Sequence, residues 1–180
     1  MIFNSCANNE SSCVPIVCLN GGQSIECECE CPEGLTGEDC SIRLDPKTLV
    51  ISEIKLFKFP LLNNGLAWDP TNNQTTSLPD VYVVLNDMNN NEIFNGNTYY
   101  ENADYTKNSF IFTPNTPLEI PIDNGQELIK FLIYDYDSGT SDDYMGGFLF
   151  KKYEQDKSFL KVYEFESETI KVAFTISFKW

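Results

Sequence analysis

The sequence predicts an all-β chain, an antiparallel β-sandwich preceded by a small cysteine-rich module. Three observations carry that prediction. Runs of alternating apolar and polar residues recur from residue 48 onward, turn-rich connectors separate them, and no stretch holds a sustained helical period. A parallel sheet needs helices to cover its faces, so strands without helices must pack sheet on sheet.

The chain divides by texture into a polar tether over 1–11, a cysteine-rich module over 12–42 and the sandwich over 46–180. All seven cysteines lie between Cys6 and Cys40. That density reads as a disulfide framework formed in an oxidising compartment, with zinc as the competing reading. The crowding Cys27-x-Cys29-x-Cys31 fits a stapled scaffold better than two spaced chelating pairs. Cys13, Cys18, Cys27, Cys29, Cys31 and Cys40 form the framework. Cys6 is left over, as a free thiol, an intermolecular bridge or an acylation site.

Beyond residue 45 the strand candidates follow in order: TLVISEIKLFKFP, DVYVVLND, NSFIFTP, ELIKFLIYD, YMGGFLFKK and ETIKVAFTISFKW. In the first, Val50, Ser52, Ile54 and Leu56 oppose Ile51, Glu53, Lys55 and Phe57, an alternation that is not pure. The connectors NNGLAWDPTNNQTTSLP, NDMNNNEIFNGN and PNTPLEIPIDNG are rich in turn formers and read as loops. YEQDKSFLKVYE is the one place for a short helical turn.

Composition narrows the function. The chain is 42% hydrophobic and carries 27 acidic against 12 basic side chains, a formal net charge of −15. Phosphate-rich partners need Lys/Arg patches, so nucleic acid is excluded, as is unaided binding to anionic lipid. The balance suits uptake of divalent cations. The sequence contains no histidine, which removes the Ser-His-Asp and Cys-His arrangements and any imidazole zinc site. With no nucleophile or tuned acid in view, a chain without enzymatic activity is expected.

The sharpest local feature is YDYDSGTSDDYMGG, residues 134–147. It follows a strong strand, so Asp135 and Asp137 share one strand face, and Asp143 returns just before the next strand. Calcium takes six to eight oxygens at about 2.3–2.6 Å. Two unit charges 4 Å apart repel by about 4 kcal/mol at an effective dielectric of 20, a term that a bound cation reverses. Asp142, one position off the pattern, reads as bystander charge. An EF-hand does not fit, because flanking helices and a closing glutamate are missing. A paired-carboxylate glycosidase does not fit either, because nothing sets one acid apart from the other.

These residues carry resemblances. CLNGG and C-x-C-PEGLTGEDC resemble the EGF-like domain, in which tight turns use glycines such as Gly34 and Gly37. Carried over by order, that resemblance implies pairing of Cys13 with Cys27, Cys18 with Cys29 and Cys31 with Cys40. Ser24 stands where the family has a cysteine, and six cysteines allow fifteen connectivities. The calcium signature of some EGF-like domains is not matched by Asn8 to Ser12. FNSC resembles the tail of a bacterial lipoprotein signal, although only five residues precede Cys6. It implies lipidation there, and a location outside the cytoplasm, secreted or anchored to a cell surface or outer membrane.

D-x-D-x(5)-D with Tyr144-Met145-Gly146 after it resembles the third calcium-binding loop of a C2 domain. LPDVYVVL supplies Asp80 where that family opens a strand with D-P-Y-V, and Asp69 in AWDP is the earlier partner. Val81 replaces the usual proline, and the Asp69–Asp80 spacing is about twice the common one. The resemblance spans roughly 48–180, with the type II strand order. It implies calcium held by Asp69, Asp80, Asp135, Asp137 and Asp143, and recognition of phospholipid, glycan or protein at a surface. Leu66 and Trp68 are the loop-tip residues placed to enter a membrane, with a partly buried loop anchor as the competing reading of Trp68, and Lys55, Lys58 and Lys130 form a weak basic patch. The alternative is a calcium-rigidified structural or protein-interaction stalk without lipid binding.

Overall fold

The computed structural model describes residues 16–69, 77–96, 98–122, 125, 127–155 and 160–180. Cys6 and Cys13 lie outside them. The chain separates into two compact units, Met1–Asp45 with Trp180, and Pro46–Lys179.

In the first unit β1 (Gln23–Ile25) pairs with β2 (Glu28–Glu30), and β3 (Leu35–Thr36) with β4 (Ile42–Arg43), both antiparallel. Glu26 and Cys27 turn the first hairpin at φ 48° and 74°, a backbone region that L-residues seldom occupy. Disulfides join Cys18 to Cys29 and Cys31 to Cys40. Cys27 is disulfide-bonded as well. So small a unit gains most of its stability from such staples, and they belong to an oxidising environment. Trp180 covers Gly34 and donates its indole N–H to the Leu44 carbonyl at 3.1 Å.

The second unit is an antiparallel, C2-like β-sandwich. One sheet orders β11 (Asp143–Lys151), β10 (Leu128–Asp135), β6 (Val81–Asn86) and β7 (Glu92–Asn95). The other orders β12 (Val162–Glu166), β13 (Lys171–Lys179), β5 (Thr48–Lys58) and β8 (Phe110–Phe112), with β9 (Leu118–Pro121) also pairing β5. No α-helix occurs among the described residues. Inward faces of both sheets form the core: Leu49, Ile51, Ile54 and Leu56 of β5, Val83 and Leu85 of β6, Phe131 of β10 and Phe174 of β13 are buried. Edge-to-face contacts of Phe131 with Phe174, and stacking of Phe150 on Phe174, tie the sheets together.

The impure alternation of the first strand has a structural cause. Register shifts between Thr175 and Ile176, so that Glu53 opposes Thr175 while Ile51 opposes Ile176. Ser52 is the extra residue of a β-bulge, and the buried set changes phase from Leu49 and Ile51 to Ile54 and Leu56. A second bulge lies where Ile133 opposes Gly146 and Tyr134 opposes Tyr144, leaving Met145 between them. Beside it the sheet leaves no room at Gly147, where a Cβ would meet the Phe131 carbonyl oxygen. Three short strands lie in stretches read as loop or turn: β7 within NDMNNNEIFNGN, β9 within PNTPLEIPIDNG, and β12 at the end of YEQDKSFLKVYE.

Candidate functional site

Alternation along β10 sends Ile129, Phe131 and Ile133 into the core, and the next residue on that face is Asp135. A carboxyl group therefore ends an apolar row, and it is 0% exposed. Burying a carboxylate is costly unless its oxygens find partners. Oδ1 has one, the backbone N–H of Asp80, which donates at 2.6 Å. Oδ2 is fully buried and has none. Burial pushes the Asp135 carboxyl up to about 7; the Asp80 N–H pulls the other way, and the nearby charges of Asp69, Asp137 and Asp80 push it further.

Asp80 stands immediately before β6, and its carbonyl accepts the N–H of Tyr136 at 2.8 Å, which continues the β6–β10 ladder one step past its end. The Asp80 carboxylate accepts the N–H of Asn102 at 2.8 Å, and a bridge between Val81 and Tyr100 holds the same connection. Asp143 opens β11 directly opposite Asp135 and is exposed. Between them the loop is closed by Asp142, which accepts the N–H of Asp137 at 3.1 Å and the Tyr82 hydroxyl at 2.6 Å. Burial and that hydrogen bond raise the Tyr82 hydroxyl well above its ordinary pKa.

Asp69, Asp80 and Asp137 are half-buried. Burial raises Asp69, and Asp80, Asp137 and Asp143 raise it further; Asp137 is raised by burial, then by Asp143, Asp142 and Asp80. Asp69, Asp80, Asp135, Asp137 and Asp143 thus gather at one rim and act on one another electrostatically. As their side chains stand, no group of three acidic or thiol side chains among the described residues is disposed to hold an ion. The donor chemistry nevertheless fits a hard cation, with hard oxygens on rotatable, partly exposed side chains around one buried oxygen that lacks a partner.

Neither a family model nor a curated protein sequence matches the chain. Among solved structures it is similar to human GIVD cytosolic phospholipase A2 in complex with methyl gamma-linolenyl fluorophosphonate inhibitor and terbium chloride, with TM-score 0.47 and 17% identity over 75% of this chain and 18% of that one. It is also similar to a C2 domain of plant Extended Synaptotagmin 1, with TM-score 0.37 and 11% identity over 76% of this chain and 99% of that one. The chain spans about 18% of the length of the phospholipase chain. One expectation is corrected here. The sequence predicts a chain without enzymatic activity, yet the solved proteins that it matches include an enzyme. The absence of histidine from these 180 residues removes only the arrangements that need it and does not show that the chain is no enzyme.

Three side-chain readings change. Trp68 is 7% exposed and donates its indole N–H to the Pro60 carbonyl at 2.9 Å, so it anchors its loop and does not form a membrane-entering tip. Leu66 is 73% exposed, at the end of a tight turn in which Asn63 and Leu66 exchange backbone hydrogen bonds around Asn64 and Gly65, at φ 52° and 89°. Leu62 on the other arm is 50% exposed. Lys55 and Lys58 lie on the five-stranded sheet and Lys130 on the four-stranded one, so they make no single basic patch. Asp142 is the brace of the acidic loop, a role that its spacing did not signal. Asn102 and Tyr82 also belong to the rim: the Val81–Tyr100 bridge brings Asn102 to the Asp80 carboxylate, and the Tyr82 hydroxyl reaches Asp142.

Proposed function

We propose that this rim takes up calcium and that the sandwich is a calcium-dependent recognition module for a surface ligand, with phospholipid the first candidate. The observation that carries the reading is the Asp135 carboxylate, sealed at the end of the core with one oxygen unmet and four other aspartates around it. Asp135, Asp80, Asp137, Asp143 and Asp69 would hold the ion. A bound ion would offset their repulsion and offer a positive centre to phosphate or hydroxyl oxygens of a ligand. Support also comes from the resemblance of D-x-D-x(5)-D and LPDVYVVL to C2 calcium loops. The exposed hairpin of Leu62 and Leu66 supplies apolar contact area, worth on the order of a few kcal/mol when buried.

In this reading residues 1–11 tether the chain through Cys6 to a surface, 12–42 act as an EGF-like spacer, and 46–180 carry the binding rim. The test is calcium titration followed by heat denaturation, comparing wild type with Asp135→Asn/Asp137→Asn. A native-state ligand at a hundredfold excess over Kd adds about 2.7 kcal/mol, a rise on the order of 10 °C for a domain of this size. A wild type whose melting temperature ignores calcium would refute the proposal. Calcium-dependent co-sedimentation with vesicles separates lipid recognition from the stalk, which keeps the melting shift and does not sediment.

A further inference from the structure

Three Asn-Gly steps have both residues described: Asn20-Gly21, Asn64-Gly65 and Asn95-Gly96. Glycine after asparagine leaves the backbone nitrogen uncrowded, because no Cβ shields it. At Asn20-Gly21 and Asn64-Gly65 the backbones nearly coincide, with φ 51° and 86° against 52° and 89°. Both are turns of exposed residues, so conformation and exposure do not separate them. Side-chain anchoring does. Asn20 donates its Nδ2 to the carbonyl of fully buried Cys40 at 3.0 Å, and the Cys31–Cys40 disulfide fixes that residue. Asn64 donates only to its exposed neighbour Asn63, at 3.2 Å. Asn95 donates to Glu92, and the buried Gly96 commits its N–H to the Val83 carbonyl at 2.9 Å. The Gly65 N–H has no acceptor among the described residues, and a Cβ added there would meet nothing within 4 Å. An isolated bridge between Asn63 and Leu66 closes this turn outside any sheet.

We infer that the Asn64-Gly65 turn is a site of self-modification by deamidation, which sets a carboxylate into the apolar hairpin. The step needs only water. The Gly65 nitrogen gives up its proton to solvent base and bonds to the Asn64 Cγ, and the side-chain nitrogen leaves as ammonia. Water then opens the cyclic imide at either carbonyl, leaving aspartate or isoaspartate and an added negative charge. Ring closure requires the Asn64 Cγ to swing onto the Gly65 nitrogen. Local opening of an isolated turn permits that movement, whereas the Cys40 anchor opposes it at Asn20. The isoaspartate product also lengthens the backbone by a methylene, which misaligns the paired bonds of Asn63 and Leu66. Leu62 and Leu66, 50% and 73% exposed, flank the new charge. A carboxylate there opposes entry of the hairpin into an anionic lipid surface. That consequence rests on the lipid reading proposed above; the chemistry of the turn does not.

The test is peptide mapping by mass spectrometry of the native full chain, aged in mildly alkaline buffer. Asn64 is expected to convert at least about tenfold faster than Asn20 or Asn95, with isoaspartate among its products. In urea with reductant the three rates should converge, because the anchors are gone. Equal rates at Asn20 and Asn64 in the native chain, or a preference for Asn64 that persists in urea, would overturn the proposal. Phosphatidylserine vesicles with calcium read the consequence. Asn64→Asp should bind them about fivefold more weakly than Asn64→Gln, the effect of a single charge at an anionic surface. Equal binding by the two variants would overturn the effect on the hairpin. Failure of fresh wild type to sediment would instead refute lipid recognition, and the mapping alone would then decide the modification.

Discussion

At the level of single residues, the rim is governed by one buried acid. In the unfolded chain Asp135 titrates near 4, and in the metal-free fold at about 7. Between those values the native state holds the extra proton, so stability falls as pH rises through the window and levels off above it. In chelator, calorimetry should therefore show a lower melting temperature at pH 8 than at pH 5.5, with the slope flattened in Asp135→Asn. Saturating calcium should remove that fall, because it favours the ionised carboxylate. Tyr82→Phe tests the brace: losing its bond to Asp142 should cost about 1–2 kcal/mol by denaturant melts and weaken calcium binding. Period-two spacing predicts Asp135 and Asp137 on one strand face, whereas β10 ends at Asp135 and only that carboxyl is fully buried. The burial was not legible, because it depends on the Asp80 N–H arriving from the entry to β6, 55 residues earlier in sequence.

Among the elements, the long strands were legible because each buries an alternating row. β7, β9 and β12 were not, since four or five residues set among turn formers or charged residues carry too little pattern to stand out, whereas the three-residue β8 is marked by its Phe-Ile-Phe run. The bulge at Ser52 explains why the alternation of β5 looked mixed; a phase change midway superposes two clean patterns. Where β11 passes Gly147, packing leaves no space for a methyl group. Gly147→Ala should cost about 1–3 kcal/mol, seen as a lower urea midpoint with little change in slope. The hairpin 60–66 makes the opposite kind of prediction. Leu62→Ser/Leu66→Ser should leave the melting temperature within about 2 °C and reduce calcium-dependent vesicle binding about tenfold, since two exposed leucines hold little of the fold and much of the free apolar tip.

For the whole molecule, covalent staples and apolar packing are divided between the units. Every cysteine precedes residue 41, so the sandwich stands without disulfides. Reduction should expose the 16–45 region to protease, each lost staple costing about 2–4 kcal/mol, while the calcium melting shift of 46–179 persists. The split was legible in sequence because cysteine and β-alternation barely overlap along the chain. The place of Trp180 was not, because a terminal residue after a long strand gives no sign of which unit it joins. The chain contains two tryptophans, Trp68 buried in the sandwich and Trp180 with the disulfide unit. Each body therefore carries its own emitting indole. With Trp68→Phe or Trp180→Phe, the remaining band reports the opening of a single unit, and the order in which the two give way on heating becomes directly visible.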